Sequence, residues 1–267
     1  MSHHSATLNA MIKASERAAR SLIRDFGEVE NLQVSAKGPG DFVSAADRRA
    51  EEILYEELLK ARPGFGFLME ESGVVKGTDQ EHRWIIDPLD GTTNFLHGLP
   101  HWCISIGLEQ NGEIIAGLIH DPVKDEMFMA EKGAGAFSGR RRLRVSGRTD
   151  LMSSTIACGA PRPSPAKRQR FVREYNAMLN ASPGLRRFGA AALDLAYVAA
   201  GRYEGFWERD LKEWDIAAGI IIVREAGGYA QDIDDEKTNP IKSCSILAAN
   251  GNLLASMRKV IKDSSKE

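Results

Sequence analysis

The chain has 267 residues and a formal net charge of -2, with 43% of its residues hydrophobic and 27% charged. This is the composition of an ordinary globular protein, long enough for one large domain or two lobes sharing a core. The near-neutral charge excludes a general attraction to nucleic acid or a membrane surface, and the longest strongly apolar stretch, Ile216 to Val223, is far too short to span a bilayer. The start, Met1 to Thr7, lacks the basic and apolar regions of a signal peptide, so a cytoplasmic location is expected. Cys103, Cys158 and Cys244 have no CxxC spacing and are odd in number, which predicts free thiols rather than a zinc motif or a disulfide framework.

In chain order, the apolar spacing of Leu8, Met11, Ile12, Ala18, Ala19 and Leu22 predicts a helix over Ala6 to Phe26. A Gly/Pro loop is expected at Lys37-Gly38-Pro39-Gly40, then a second helix from Ala45 to Lys60. The pattern Ser44-Ala45-Ala46-Asp47 fits a capping box at its start. Two short strands follow, Gly66 to Met69 and Arg83 to Ile86, and each runs directly into acidic residues: Glu70-Glu71 and Asp87. Trp102 to Gln110, Glu113 to His120 and Glu126 to Glu131 read as a strand meander, with Asn111-Gly112 as a tight turn. The second half alternates strands near Thr155, Glu204 and Cys244 with helices near Ala166 to Leu179, Ala191 to Ala200, Ile216 to Ala226 and Leu253 to Ile261. The expectation is an α/β layered protein, one domain made of two packed lobes over residues 1–145 and 146–267.

The most informative stretch is Asp87-Pro88-Leu89-Asp90-Gly91-Thr92-Thr93. It follows the apolar Trp84-Ile85-Ile86, so Asp87 is expected at a strand's carboxyl end. Pro88 favours a turn that brings Asp87 and Asp90 to one side, and Gly91-Thr92-Thr93 can open a short helix whose first N–H groups are available to a phosphate. Acids in a turn also serve merely to cap a helix; Glu70 has strand-end solvation and Asp215 has N-capping as ordinary explanations. If these acids share a pocket, they repel one another unless cations lie among them. A set of hard oxygen donors without His or Cys selects Mg²⁺ rather than zinc.

Trp84 to Phe95, Trp214-Asp215-Ile216-Ala217-Ala218-Gly219 continuing to Glu225-Ala226-Gly227-Gly228, Asp41 to Asp47, and Glu70-Glu71-Ser72 resemble, in order and separation, the motifs of the inositol monophosphatase family. The resemblance covers nearly the whole chain. It implies an αβαβα fold and lithium-sensitive, Mg²⁺-dependent hydrolysis of a polyol phosphate monoester, with myo-inositol 1-phosphate the leading substrate. It further implies two to three Mg²⁺ ions, held by Glu70, Asp87, the carbonyl of Leu89, Asp90 and Asp215. Thr92 paired with Asp47, together with Glu70, would prepare the attacking water, and the Gly91 and Thr92 N–H groups would hold phosphate oxygens. Arg186, Gly189, Ala190, Ala191, Glu208 and Asp215 would contact the alcohol, and Lys37 resembles a loop lysine near the site. Glu208-Arg209-Asp210-Leu211 is more charged than expected for many relatives, which leaves the ring specificity open. Related Mg²⁺-dependent phosphatases act on fructose bisphosphate, histidinol phosphate or adenosine bisphosphate, and these are the alternative substrates, although the chain is shorter than expected for the fructose- and adenosine-bisphosphate branches. A homodimer is implied as well.

Other features have plainer readings. Arg140-Arg141-Arg142-Leu143-Arg144, with Arg148, is expected as a solvated loop leading into a strand, since no aromatic residues interleave with it. It is also the place to look for contact with RNA polymerase or RNA, which some bacterial relatives make. His97 and His101 flank a turn and offer no metal geometry.

Overall fold

The computed structural model describes residues 4–28, 34–38 and 41–264. Helix α1 (Ala6–Phe26) is followed by the paired strands β1 (Val34–Gly38) and β2 (Asp41–Ser44), then α2 (Ala45–Ala61). Lys37 and Gly38 thus belong to a strand rather than the expected loop; the side chains of residues 34–44 lie outside the described residues, and with them any role for Lys37.

Next come β3 (Gly66–Met69), β4 (Gly73–Val75), β5 (His82–Asp90), the five-residue α3 (Thr92–Leu96), β6 (Cys103–Gln110), β7 (Glu113–Asp121), β8 (Glu126–Glu131), β9 (Gly135–Ser138) and β10 (Arg141–Arg142). These strands form one eight-stranded sheet in the order β10-β9-β8-β7-β6-β5-β3-β4, antiparallel except for β3 beside β5. Asn111 and Gly112 both take positive φ (51° and 83°), the two-residue turn expected between β6 and β7. Part of the basic run is a two-residue edge strand: Arg141 and Arg142 pair with β9 and are exposed, Leu143 is buried, and Arg140, Arg144 and Arg148 lie in the flanking turn and loop. Charge on an edge strand discourages pairing with another sheet.

The rest comprises β11 (Thr155–Cys158), α4 (Pro165–Ala181), β12 (Gly184–Arg186), α5 (Ala191–Ala199), β13 (Gly205–Glu208), α6 (Glu213–Glu225), β14 (Tyr229–Gln231), α7 (Pro240–Ser243), β15 (Ile246–Ala249) and α8 (Leu254–Asp263). A five-stranded sheet runs β12-β11-β13-β15-β14. The expected αβαβα layering results: α1 and α2 cover one face of the large sheet, α5 and α6 fill the space between the sheets, and α4 and α8 cover the small sheet.

Layer position explains composition. Helix α1 is apolar on one stripe and polar elsewhere, as an outer helix should be, and it is tied to α2 by Lys13–Glu57 (2.9 Å) and Arg49–Asp25 (2.6 Å). All nine residues of α5 and the whole Ile216–Val223 stretch of α6 are buried, because both helices are covered on two sides. One apolar cluster therefore joins Ile85 and Ile119 of the large sheet, Leu195 and Ile220 of the helices, and Phe206 and Ala248 of the small sheet.

Helix α6 lies directly on backbone. Gly107 and Gly117 are cross-strand partners; a Cβ at Gly107 would stand 2.8 Å from Ala217 Cβ, and one at Gly117 would stand 2.6 Å from Ile221 and 2.7 Å from the Ala218 carbonyl oxygen. Both ends of α6 are also held. Arg83 bridges Glu109 (2.8 Å) and Glu213 (2.6 Å) at its start, and Glu225 accepts the N–H groups of Gly133 and Gly135 at 2.8 Å at its end.

Gly117→Val is expected to lower stability by about 1–3 kcal/mol, the usual cost of overpacking a dense core. Urea unfolding measures it, and a midpoint equal to the wild type's would refute the close-approach account.

Candidate active site

The site is assembled from elements that meet at one end of the large sheet. Strand β5 does not stop at Ile86 as the sequence suggests; it continues through Asp90, with its register against β6 shifting between Asp87 and Asp90. Proline at position 88 has no N–H to give to a ladder, and an irregularity there is where a strand tolerates it. Within this irregular stretch Asp87 Oδ1 accepts the N–H of Leu89 at 2.9 Å, closing a tight local loop. Gly91, at φ 92°, then turns the chain into α3; a Cβ there would be strained and only 3.0 Å from the His101 carbonyl oxygen.

Asp90 is gripped by the start of α5, its Oδ2 accepting the Ala192 N–H at 2.7 Å. Glu70 follows β3, whose parallel neighbour is β5, and its N–H donates to the Ile86 carbonyl at 3.3 Å. Asp215 is not ahead of α6 but in its first turn, where its Oδ2 accepts the Lys212 N–H at 2.7 Å. The helix starts earlier than the apolar run because Glu213 and Trp214, polar or half-buried, complete its first turn.

These acids share a cleft of about 210 Å³, lined by Glu70, Asp87, Leu89, Asp90, Gly91, Thr92, Gly189, Ala191, Glu208 and Asp215 among others. Asp47, buried on α2, meets it through Thr92: the Thr92 hydroxyl lies 3.2 Å from Asp47 Oδ1 and 3.1 Å from the Leu89 carbonyl oxygen. Ala190 is buried beneath the site and Arg186 is exposed with its guanidinium on the Leu185 carbonyl; neither lines the cleft. Arg162, Arg187 and Lys212 do, beside Arg209. The sequence reading missed all three, and for Arg187 the one available signal is that neighbouring residues of an extended segment face opposite ways.

Glu51 was missed too. It lies one turn beyond Asp47 on α2, and its carboxylate accepts the Glu71 N–H at 2.8 Å and the Ser72 hydroxyl at 2.5 Å, fixing the turn that carries Glu70. The i, i+4 spacing from Asp47 places both acids on one helix face.

Electrostatically the acid set is in conflict with itself. Burial, then the neighbouring Glu70, Asp90 and Asp215, push the Asp87 carboxyl well above its ordinary range. Burial also raises Asp90, partly offset by the Ala192 N–H, and burial with the charge of Asp90 raises Asp215. Such a cluster of oxygen donors, with Asp87 buried and Glu70, Asp90 and Asp215 half-buried, fits a hard divalent cation, which would remove the repulsion. Among the described residues no three His, Cys, Asp or Glu side chains close into a ready-made cage. Mg²⁺ does not need one, since it keeps several waters. Among the described residues, too, the three cysteines are free and no helix is long and apolar enough to cross a membrane.

The chain is similar in sequence and fold to known proteins. The chain is 54% identical to an inositol-1-monophosphatase of Mesorhizobium japonicum over 97% of both chains, and 40% identical to the Nus factor SuhB of Xylella fastidiosa over 95% of this chain and 94% of that one. The crystal structure of the extragenic suppressor protein suhB from Bartonella henselae superposes with a TM-score of 0.94 at 52% identity, covering 97% and 99% of the two chains. The Inositol monophosphatase family profile matches residues 4–266, and the chain belongs to that family of phosphatases.

Proposed function

We propose that the protein hydrolyses a polyol phosphate monoester, with myo-inositol 1-phosphate its leading substrate, in a cleft that holds two to three Mg²⁺ ions. The observation that carries this reading is the convergence of Glu70, Asp87, Asp90 and Asp215 from three separate parts of the chain onto one cleft with Thr92. Glu70, Asp87, the Leu89 carbonyl, Asp90 and Asp215 would hold the metal, and residues 1–145 and 146–267 thus act as one catalytic unit. Bound Mg²⁺ supplies the Lewis acid, which offsets charge on the phosphoryl group and makes water a better nucleophile.

The chain's own residues do the rest. Thr92 Oγ1 stands between Asp47 Oδ1 and the cleft, so it can take a proton from the attacking water while passing its own to Asp47. The first N–H groups at Gly91 and Thr92 have no intrahelical acceptor and can bind phosphate oxygens. Arg162, Arg187 and Lys212 add positive charge at the cleft walls for a dianionic ester. Glu208, Gly189 and Ala191 line the side where the alcohol would lie, and a carboxylate there can accept two hydroxyl hydrogen bonds. Family membership supports a cytoplasmic homodimer inhibited by lithium.

The relatives named Nus factor SuhB favour a second reading, contact with RNA or RNA polymerase through the exposed Arg141–Arg142 edge. Co-purification that survives Asp87→Asn would support it, and loss of binding in that variant would not.

Asp87→Asn and Asp215→Asn are expected to cut phosphate release at saturating Mg²⁺ by on the order of 10² or more. The same substitutions should raise the metal-free melting temperature, because each removes a charge from a repelling buried set. Unchanged turnover, measured with myo-inositol 1-phosphate, would refute the metal assignment. Thr92→Val should lower kcat by about 10²–10⁴ with little change in Mg²⁺-induced thermal stabilisation; an equal loss of both would mean that Thr92 acts only through the fold.

The pH dependence has a definite sign. Carboxyls with raised folded pKa values destabilise the metal-free fold progressively as pH climbs from their unfolded range, about 4, through the raised values. Mg²⁺ relieves that penalty and displaces the retained protons. The gain in melting temperature on adding Mg²⁺ should therefore grow with pH, and a gain that is flat or shrinks would contradict the shared-site account.

A further inference from the structure

Glu208 sits in a setting that the reaction itself does not explain. Strand β13 ends at Glu208, which lines the cleft, while the guanidinium of Arg209 at the cleft's border reaches toward α4. Arg209 is received by a prepared site. Its Nε donates to Glu174 Oε1 at 3.0 Å, and its two terminal nitrogens donate to Asp234 at 2.6 and 2.9 Å. Arg170 makes the same two connections, to Glu174 at 3.0 Å and Asp234 at 3.2 Å.

Glu174 is 1% exposed, and it and Met178 are the buried residues of α4. The helix docks through Met178, Phe171 and Tyr175 and through this one buried carboxylate, which holds the residue next to Glu208. The planar fork of arginine fixes orientation as well as position, which a lysine cannot do. Glu174 and Arg209 are the buried part of this network and Asp234 and Arg170 its exposed rim, so it is a weak source of stability and its geometry points to placement.

The other side of Glu208 is shaped by an absence of side chain. A Cβ at Gly159 would overlap the Glu208 carboxyl group, which lies against the bare backbone there. Gly159 in turn donates its N–H to the Trp207 carbonyl at 3.2 Å, locking the end of β11 to β13. Glu208 is thus seated from one side by Gly159 and anchored one residue on by Arg209.

We propose that Gly159 and the Arg209–Glu174–Asp234 network are positioning residues that hold the Glu208 carboxylate for the hydroxyls of the alcohol, and so set the preference for polyol esters. The proposal rests on the reading of Glu208 as the acceptor for those hydroxyls. Gly159→Ala is the sharper variant, because the clash is met by the far end of a flexible side chain: the carboxylate must move while the fold need not. Arg209→Gln removes the fork from the other side, and Arg209→Lys restores the charge without the fork.

The test is kcat/KM for myo-inositol 1-phosphate divided by kcat/KM for phenyl phosphate, which has the phosphate but no hydroxyls, at saturating Mg²⁺. The ratio is expected to fall at least about tenfold in Gly159→Ala and Arg209→Gln, mainly through KM for the polyol ester, the scale of a lost charge-assisted hydrogen bond. Phenyl phosphate hydrolysis should stay within about twofold, with Arg209→Lys intermediate. An unchanged ratio in Gly159→Ala, or an equal loss on both esters, overturns the proposal. A wild type that shows no preference for the polyol ester overturns the reading of Glu208 beneath it, and this inference with it.

Discussion

The contact on which the rest depends is the seating of α6 against the Gly107–Gly117 pair. A helix pressed onto sheet backbone has little freedom to slide, because dense packing leaves no voids to move into. Its first turn carries Asp215, and the Arg83 bridge from Glu109 to Glu213 holds that turn to the same sheet that presents Asp87 and Asp90. The small sheet then covers the other side of α5 and α6, which brings Glu208 and Gly159 to the same cleft. A contact between apolar surfaces thus sets the distances between acids that would otherwise repel one another.

The cost of that arrangement is concentrated at the site. Buried like charges destabilise a fold, and every carboxylate raised by its neighbours is a place where structure works against stability. Backbone N–H groups compensate in part: Leu89 for Asp87, Ala192 for Asp90 and Lys212 for Asp215. Each of these three acids has such a donor within its own turn or at the helix start facing it, and Asp90 has a second in Ala191. These donors hold the carboxyl groups in place before any cation arrives. Such preorganisation is what makes electrostatic catalysis effective.

Around this centre lies a second tier of charged residues with supporting roles. Glu51 holds the turn bearing Glu70, Glu225 and Arg83 hold the ends of α6, and the Arg170–Glu174–Arg209–Asp234 network holds the strand end bearing Glu208. Their side chains hydrogen-bond the backbone or pair with charges on other elements rather than serving only as solvated surface. The charged stretch Glu208-Arg209-Asp210 is unusual as a string of letters and ordinary in space: Glu208 faces the cleft, Arg209 joins α4, and Asp210 pairs with Lys167 at 2.6 Å.

Much of this was legible beforehand. The extent of α1, the β6–β7–β8 meander and the Asn111–Gly112 turn follow from local spacing and backbone preference, which act over a few residues. The donor chemistry was legible as well, because oxygen ligands without His or Cys already select a hard cation. What residues alone left open was convergence: whether Glu70, Asp87, Asp90 and Asp215 share a pocket or cap separate elements. Boundaries also shifted where a long-range contact won, as when pairing with β6 carried β5 through Asp90 and the Arg83 bridge accompanied a start for α6 at Glu213. Arg187 in place of Arg186, and the buried role of Glu51, were decided by which face each element turns inward. That choice belongs to packing between distant segments, and no local pattern contains it.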